Sequence, residues 1–136
     1  ARHTRQANTM SQTRQHAAFD YLLQQFAASA GQSPAERWRY LEAAHVLGQN
    51  RLALHLRAHW QMLRFARALG DKHEARGQLT HLCMAPVGHI VRRMPYGNNG
   101  RAIVPALHPM VPSAALRACI GQAMRAVGGD VPQDPA

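Results

Sequence analysis

Between residues 31 and 36 the chain reads Gly-Gln-Ser-Pro-Ala-Glu, and this short string restricts the fold more than any other. A glycine ends one helix. Ser33 can then cap the next, Pro34 suits a first helical position where no backbone N–H is needed, and Glu36 stands three residues after the cap. Helical periodicity lies on both sides of this break. Upstream, Phe19, Leu22, Leu23 and Phe26 recur at three- and four-residue spacing, which predicts a helix over residues 13–29. Downstream, a second helix is expected to reach Leu47 and stop at Gly48, a residue that favours helix C-termini. Asn50 is the expected cap of a third helix carrying Leu52, Leu56, Met62, Leu63 and Phe65 as far as Leu69. Gly70 and Asp71 make the next turn, with Asp71 as cap of a fourth helix from Lys72 to Met84, ending before Pro86.

Helices joined by turns of a few residues make antiparallel neighbours. The expected fold is therefore all-α, built of antiparallel helical hairpins, with about four helices, a long Pro/Gly-rich loop and a short C-terminal helix. The segment AERWRYLEAAHVLG has the small and aromatic spacing of a tetratricopeptide-like hairpin. Composition agrees: aromatics are only 6% of 136 residues, while Ala, Leu, Gln and Arg abound. The expected organisation is a loose segment at residues 1–12, a single helical domain at 13–127 and a disordered tail at 128–136. Within the domain, residues 86–112 lack periodicity. Their apolar Ile90, Val91, Met94, Ile103, Val104, Leu107 and Met110 predict a loop packed on the helices.

Several function classes are disfavoured. No apolar run approaches the roughly 20 residues that span a bilayer, so no membrane association is expected. No export-signal pattern is visible, and a cytoplasmic location is expected. The net charge of +9 raises the question of nucleic acid. Yet the cations are scattered over several helix faces, without the basic–aromatic alternation that stacks bases, so nucleic acid is not the expected partner. A protein partner or a homodimer fits better. Cys83 and Cys119 form no disulfide framework and read as buried free thiols.

The chemistry concentrates in residues 41–63, LEAAHVLGQNRLALHLRAHWQML. At 100° per residue, His55, His59 and Met62 fall within an arc of about 60° on the third helix. Glu42 and His45, three apart, share a face of the second helix. His45 precedes the turn by about as much as His55 follows it, so a hairpin brings them to similar height. Three imidazoles and a carboxylate facing one inter-helix space suit a divalent transition metal: Zn, Fe, Co, Ni, Cu or Mn. The expected ligands are His45, His55, His59 and Glu42, with Glu42 either binding directly or orienting an imidazole. The Glu-x-x-His pair also occurs in ferritin-like di-metal bundles, but the chain has too few carboxylates for such a centre. Weaker candidates around the site are Met62, Trp60 and Arg57; Met62 fits a core role better than a ligand role.

Two other groups carry chemistry. His81, Cys83 and Met84 form a small soft-ligand cluster, although Cys83 points away from the face shared by the other two. In YGNNGRA, residues 96–102, Gly97, Asn98 and Gly100 allow a backbone that presents N–H groups to an anion or pins the loop to the helices. Arg101 adds a guanidinium fork.

With these pieces in place, the chain resembles a family of small bacterial proteins catalogued as a domain of unknown function, number 3703. The matching stretches are LEAAHVLGQ (41–49), HLRAHWQML (55–63), GQL (77–79), GNNGRAIV (97–104) and HPMVP (108–112). Glu42, His45, His55, Arg57, His59, Trp60, Gly97, Asn98, Gly100 and Arg101 all fall on matching positions, whereas His108 stands where members more often have arginine. The resemblance implies a setting among cation-efflux and heavy-metal-resistance genes, and it brings no catalytic activity. Three functions follow as expectations. The first is a cytosolic metal-binding accessory protein. The second is a tetratricopeptide-like interaction module without metal. The third is a mononuclear metal enzyme with Glu42 as base and Arg57 or Arg101 as substrate clamp.

Overall fold

A computed structural model of the chain describes residues 2–91, 101 and 112–128. Among these the architecture is all-α, with helices α1 (Arg2–Ala27), α2 (Pro34–Gly48), α3 (Leu52–Ala68), α4 (Lys72–Val91) and α5 (Ala114–Ala126). The capping box before α2 forms as the sequence predicts. Ser33 Oγ accepts from the Glu36 N–H at 3.3 Å, and Glu36 Oε2 accepts from the Ser33 N–H at 3.0 Å. Asp71 caps α4 by accepting from the Glu74 N–H, and Ser113 does the same for α5 through the Leu116 N–H.

Three boundaries depart from expectation. Helix α1 begins at Arg2, within the segment expected to be loose. Its Arg, Gln, Met and Ala residues are good helix formers, and its described side chains before Gln15 are exposed, so no apolar period marks it. Asn50 does not cap α3; Arg51 holds that position without a side-chain bond, while Asn50 Oδ1 accepts from Gln15 Nε2 at 2.7 Å. Helix α4 runs through Pro86 to Val91. A proline here removes the bond to the Leu82 carbonyl, yet the packed face of the helix overrides that cost. The expected loop at residues 86–112 is thus helical over its first six residues. Ile90 and Val91, expected to pack, are 81% and 51% exposed. Residues 92–100, 102–111 and the tail from 129 lie outside the described residues.

Helix α2 packs on α1, α3 and α5; α5 also packs on α1, and α4 packs on α3. The larger apolar cluster joins α1, α2, α3 and α5 through Phe19, Leu22, Ala44, Leu54, Leu116 and Ile120. Gly48 makes that junction possible. A Cβ on it would stand 2.8 Å from the Leu54 Cβ and 3.1 Å from the Phe19 ring, so the glycine serves close packing. The smaller cluster holds Trp38, Leu41, Met62, Phe65 and Ala66. The Arg37 guanidinium lies 4.6 Å and 4.7 Å from the Phe26 and Phe65 ring centres, sheathing its edge. Between these clusters and α4 lies a buried polar layer.

Candidate metal centre

His45 sits one turn before the end of α2, and His55 and His59 lie on successive turns of α3. The α2–α3 packing closes all three against one another, each 2% exposed. His55 Nε2 stands 3.0 Å from His45 Nε2 and 2.9 Å from His59 Nε2. The three rings pack with centres 4.7–4.8 Å apart. Among the described residues, these three form the one group of metal-competent side chains whose ligand atoms all lie within 4.8 Å of one another.

The outer ring nitrogens of His55 and His59 are also engaged. His59 Nδ1 lies 2.7 Å from Gln78 Oε1, and Gln78 Nε2 donates to Glu74 Oε1 at 3.1 Å. Arg101 Nε donates to the same Glu74 oxygen at 2.7 Å, while its Nη1 reaches Glu42 Oε1 at 3.1 Å. The Arg101 guanidinium rests 3.9 Å from the centre of the Trp38 ring. His55 Nδ1 lies 3.0 Å from His89 Nε2, and the His81 ring packs 5.1 Å from that of His59. An outer ring nitrogen engaged by an acceptor is the usual support of a metal-ligating histidine.

Burial holds the His55 and His59 rings neutral. It pushes the His55 pKa from its ordinary 6.5 down to about 3, with the neighbouring histidines adding to the effect. For His59 burial lowers the value to about 4, against a raising contribution from the Gln78 contact. At neutral pH the His55 and His59 rings therefore each carry one hydrogen. His59 must place it on Nδ1, because the Gln78 oxygen can only accept, which leaves His59 Nε2 bare. His55 Nε2 then faces two nitrogens with at most one hydrogen. If it carries the hydrogen, that atom can point squarely at only one neighbour. If it is bare, its contact with the bare His59 Nε2 sets two lone pairs together at 2.9 Å. Hydrogen bonding alone thus leaves one short nitrogen pair unsatisfied. One cation would satisfy all three.

The sequence-derived candidates divide clearly. His45, His55 and His59 meet as expected. Glu42, three residues before His45, is turned to Arg101; burial raises its carboxyl pKa, opposed by Arg101 and reinforced by nearby Glu74. Met62 is fully buried in the smaller apolar cluster. Trp60 is 54% exposed. Arg57 pairs with Asp20 at 3.1 Å and lies over the Phe19 ring. Cys83 and Met84 are exposed, so the soft-ligand cluster does not assemble and Cys83 is not the buried thiol expected. Cys119 is buried, and burial pushes its thiol up to about 11. Gly97, Asn98, Gly100 and His108 lie outside the described residues.

Sequence reasoning missed Glu74, Gln78 and His89. The signal was available: Glu74, Gln78, His81, Ala85 and Gly88 follow a spacing of four, three, four and three, and all are buried. Stopping the helix before Pro86 hid the last part of that stripe, and His89 with it. No helix among the described residues is long and apolar enough to cross a membrane. No curated protein and no solved structure matches the chain. Residues 12–127 match the family described as Protein of unknown function (DUF3703), and with most of its length covered the chain belongs to that family.

Proposed function

We propose that this protein binds a divalent transition metal through His45, His55 and His59, as an accessory to metal homeostasis in the cytoplasm. The observation that carries the reading is the convergence of the three buried Nε2 atoms of His45, His55 and His59, one short pair of which no ring hydrogen can bridge. At a metal–nitrogen distance of about 2.0–2.1 Å, tetrahedral ligands stand about 3.3–3.4 Å apart. The His45–His55 and His55–His59 nitrogen pairs, at 3.0 Å and 2.9 Å, need to part by only a few tenths of an ångström. Three imidazoles suit Zn, Fe, Co, Ni or Cu; Mn, which prefers carboxylate oxygens, fits this nitrogen set less well.

Glu42 is proposed as an outer support acting through Arg101. Because Arg101 engages both Glu42 and Glu74, neither offers an unpaired buried carboxylate as base, and this weighs against the enzyme reading. An interaction-module reading draws on one observation: Val87, Ile90 and Val91 of α4 are all more than half exposed.

Metal content by plasma mass spectrometry separates the two. Untagged protein is expected to hold about one equivalent of a single metal, lost in a His55→Ala/His59→Ala double variant that still folds. Absence of bound metal, together with no thermal stabilisation by Zn, Co, Ni or Cu, would overturn the metal reading and leave a helical interaction scaffold.

A further inference from the structure

A histidine can bind metal through Nε2 only when its hydrogen sits on Nδ1, and side chains beyond the ring decide where that hydrogen goes. We infer that Arg101, Glu74 and Gln78 form a positioning relay that fixes the tautomer of His59 and thereby sets the affinity of the centre. The inference rests on the metal-binding reading for its consequence, but the relay itself stands on the hydrogen-bond geometry.

The chain of causes starts at Arg101. Its Nε donates to Glu74 Oε1 at 2.7 Å, its Nη1 to Glu42 Oε1 at 3.1 Å, and its plane is held over Trp38 at 3.9 Å. The guanidinium therefore has little freedom, and Glu74, 2% exposed, is fixed by it. A carboxylate only accepts. Glu74 Oε1 draws the NH₂ end of the fully buried Gln78 side chain at 3.1 Å, which turns the amide oxygen toward His59 at 2.7 Å. That oxygen also only accepts, so His59 must donate from Nδ1. Each link has one chemically allowed direction, from a guanidinium that can only donate to a ring nitrogen left bare. Without the acceptor at Glu74 the Gln78 amide can turn over, offer its NH₂ to His59 Nδ1 and move the ring hydrogen to Nε2. A blocked Nε2 cannot bind.

Glu74→Met tests this, because it removes the acceptor while keeping much of the buried volume. Glu74→Gln is the conservative control, since its amide oxygen can still accept from Gln78. Two quantities are read: the His59 tautomer, by long-range proton–nitrogen NMR of the metal-free protein, and the affinity for Zn(II) by competition with a chromophoric chelator. Wild-type protein and Glu74→Gln are expected to show His59 with its hydrogen on Nδ1. Glu74→Met is expected to show a mixed or Nε2-protonated ring and an affinity lower by about tenfold or more.

Should Glu74→Met fail to fold, Arg101→Met acts at the less buried end of the relay. It is expected to shift both readouts in the same direction by a smaller amount. Wild-type affinity with an unchanged His59 tautomer in the folded variant would overturn the relay. If the wild-type protein binds none of Zn(II), Co(II), Ni(II) and Cu(II), it is the metal reading that fails, and the tautomer of the metal-free variants still decides whether the relay exists.

Discussion

At the scale of single residues, burying the histidine cluster carries a cost that depends on pH. His55 and His59 titrate near 6.5 when unfolded, but in the fold burial lowers them to about 3 and about 4. Between these limits the unfolded chain binds protons that the folded chain excludes. Stability therefore rises with pH across the window and is lost as pH falls below about 6.5. With chelator present, the melting temperature is expected to be level above about pH 7 and to decline steadily toward pH 4. A His55→Leu/His59→Leu variant should show a flatter profile, because its rings no longer have to be kept neutral. Thermal melts by circular dichroism across that range check this, and a wild-type profile as flat as the variant's would contradict it. The same depressed values bear on metal binding. Protons compete for these nitrogens only at lower pH than they would for exposed histidines, so binding should persist below the pH 6 limit expected of ordinary imidazoles.

At the scale of elements, Pro86 is the instructive position. Its ring removes one helical hydrogen bond, and proline costs about 3 kcal/mol in a helix interior, yet α4 continues to Val91. Pro86→Ala restores the donor. Part of the gain is offset because proline also restricts the unfolded chain, by about 0.4–1 kcal/mol. The net expectation is a stabilisation of about 1–2 kcal/mol, read as a melting temperature higher by several degrees, with the His55–His89 contact retained. An unchanged or lower melting temperature would show that the helix is bent to suit the proline.

The position also explains what could be read from sequence and what could not. The cap residues Ser33, Pro34, Glu36 and Asp71 act locally, so their string alone fixed two helix starts. His45, His55 and His59 were legible because helical periodicity and a short turn bring them together. His89 was not, because the local rule for proline is true of isolated helices and is overridden here by a buried face. Glu42 was half legible: its face follows from spacing, but its partner Arg101 is 59 residues away, and no local pattern encodes that pairing.

At the scale of the whole molecule, the helices are held together by unlike means. The two apolar clusters draw their buried members from α1, α2, α3 and α5. Helix α4 contributes only the partly buried Ala75 to them; its buried face is Glu74, Gln78, His81, Ala85 and Gly88, and it packs chiefly on α3. It is therefore attached largely by the polar layer, through Gln78 to His59, His89 to His55 and Glu74 to Arg101. A metal at the centre would fix the rings on which two of those links depend, and ligand binding stabilises the form it binds by about 2.7 kcal/mol at a hundredfold excess over Kd. That stabilisation should not be spread evenly. Hydrogen exchange is expected to slow on adding metal chiefly in α4 from Gln78 onward and at its contact with α3, with α1 and α5 little changed. Chelation should reverse the effect in the same places. A uniform change would mean that α4 belongs to the same cooperative unit as the apolar clusters, and that the polar layer is no weaker a joint than they are. Protection confined to α4 would instead make it the element whose docking reports whether metal is bound.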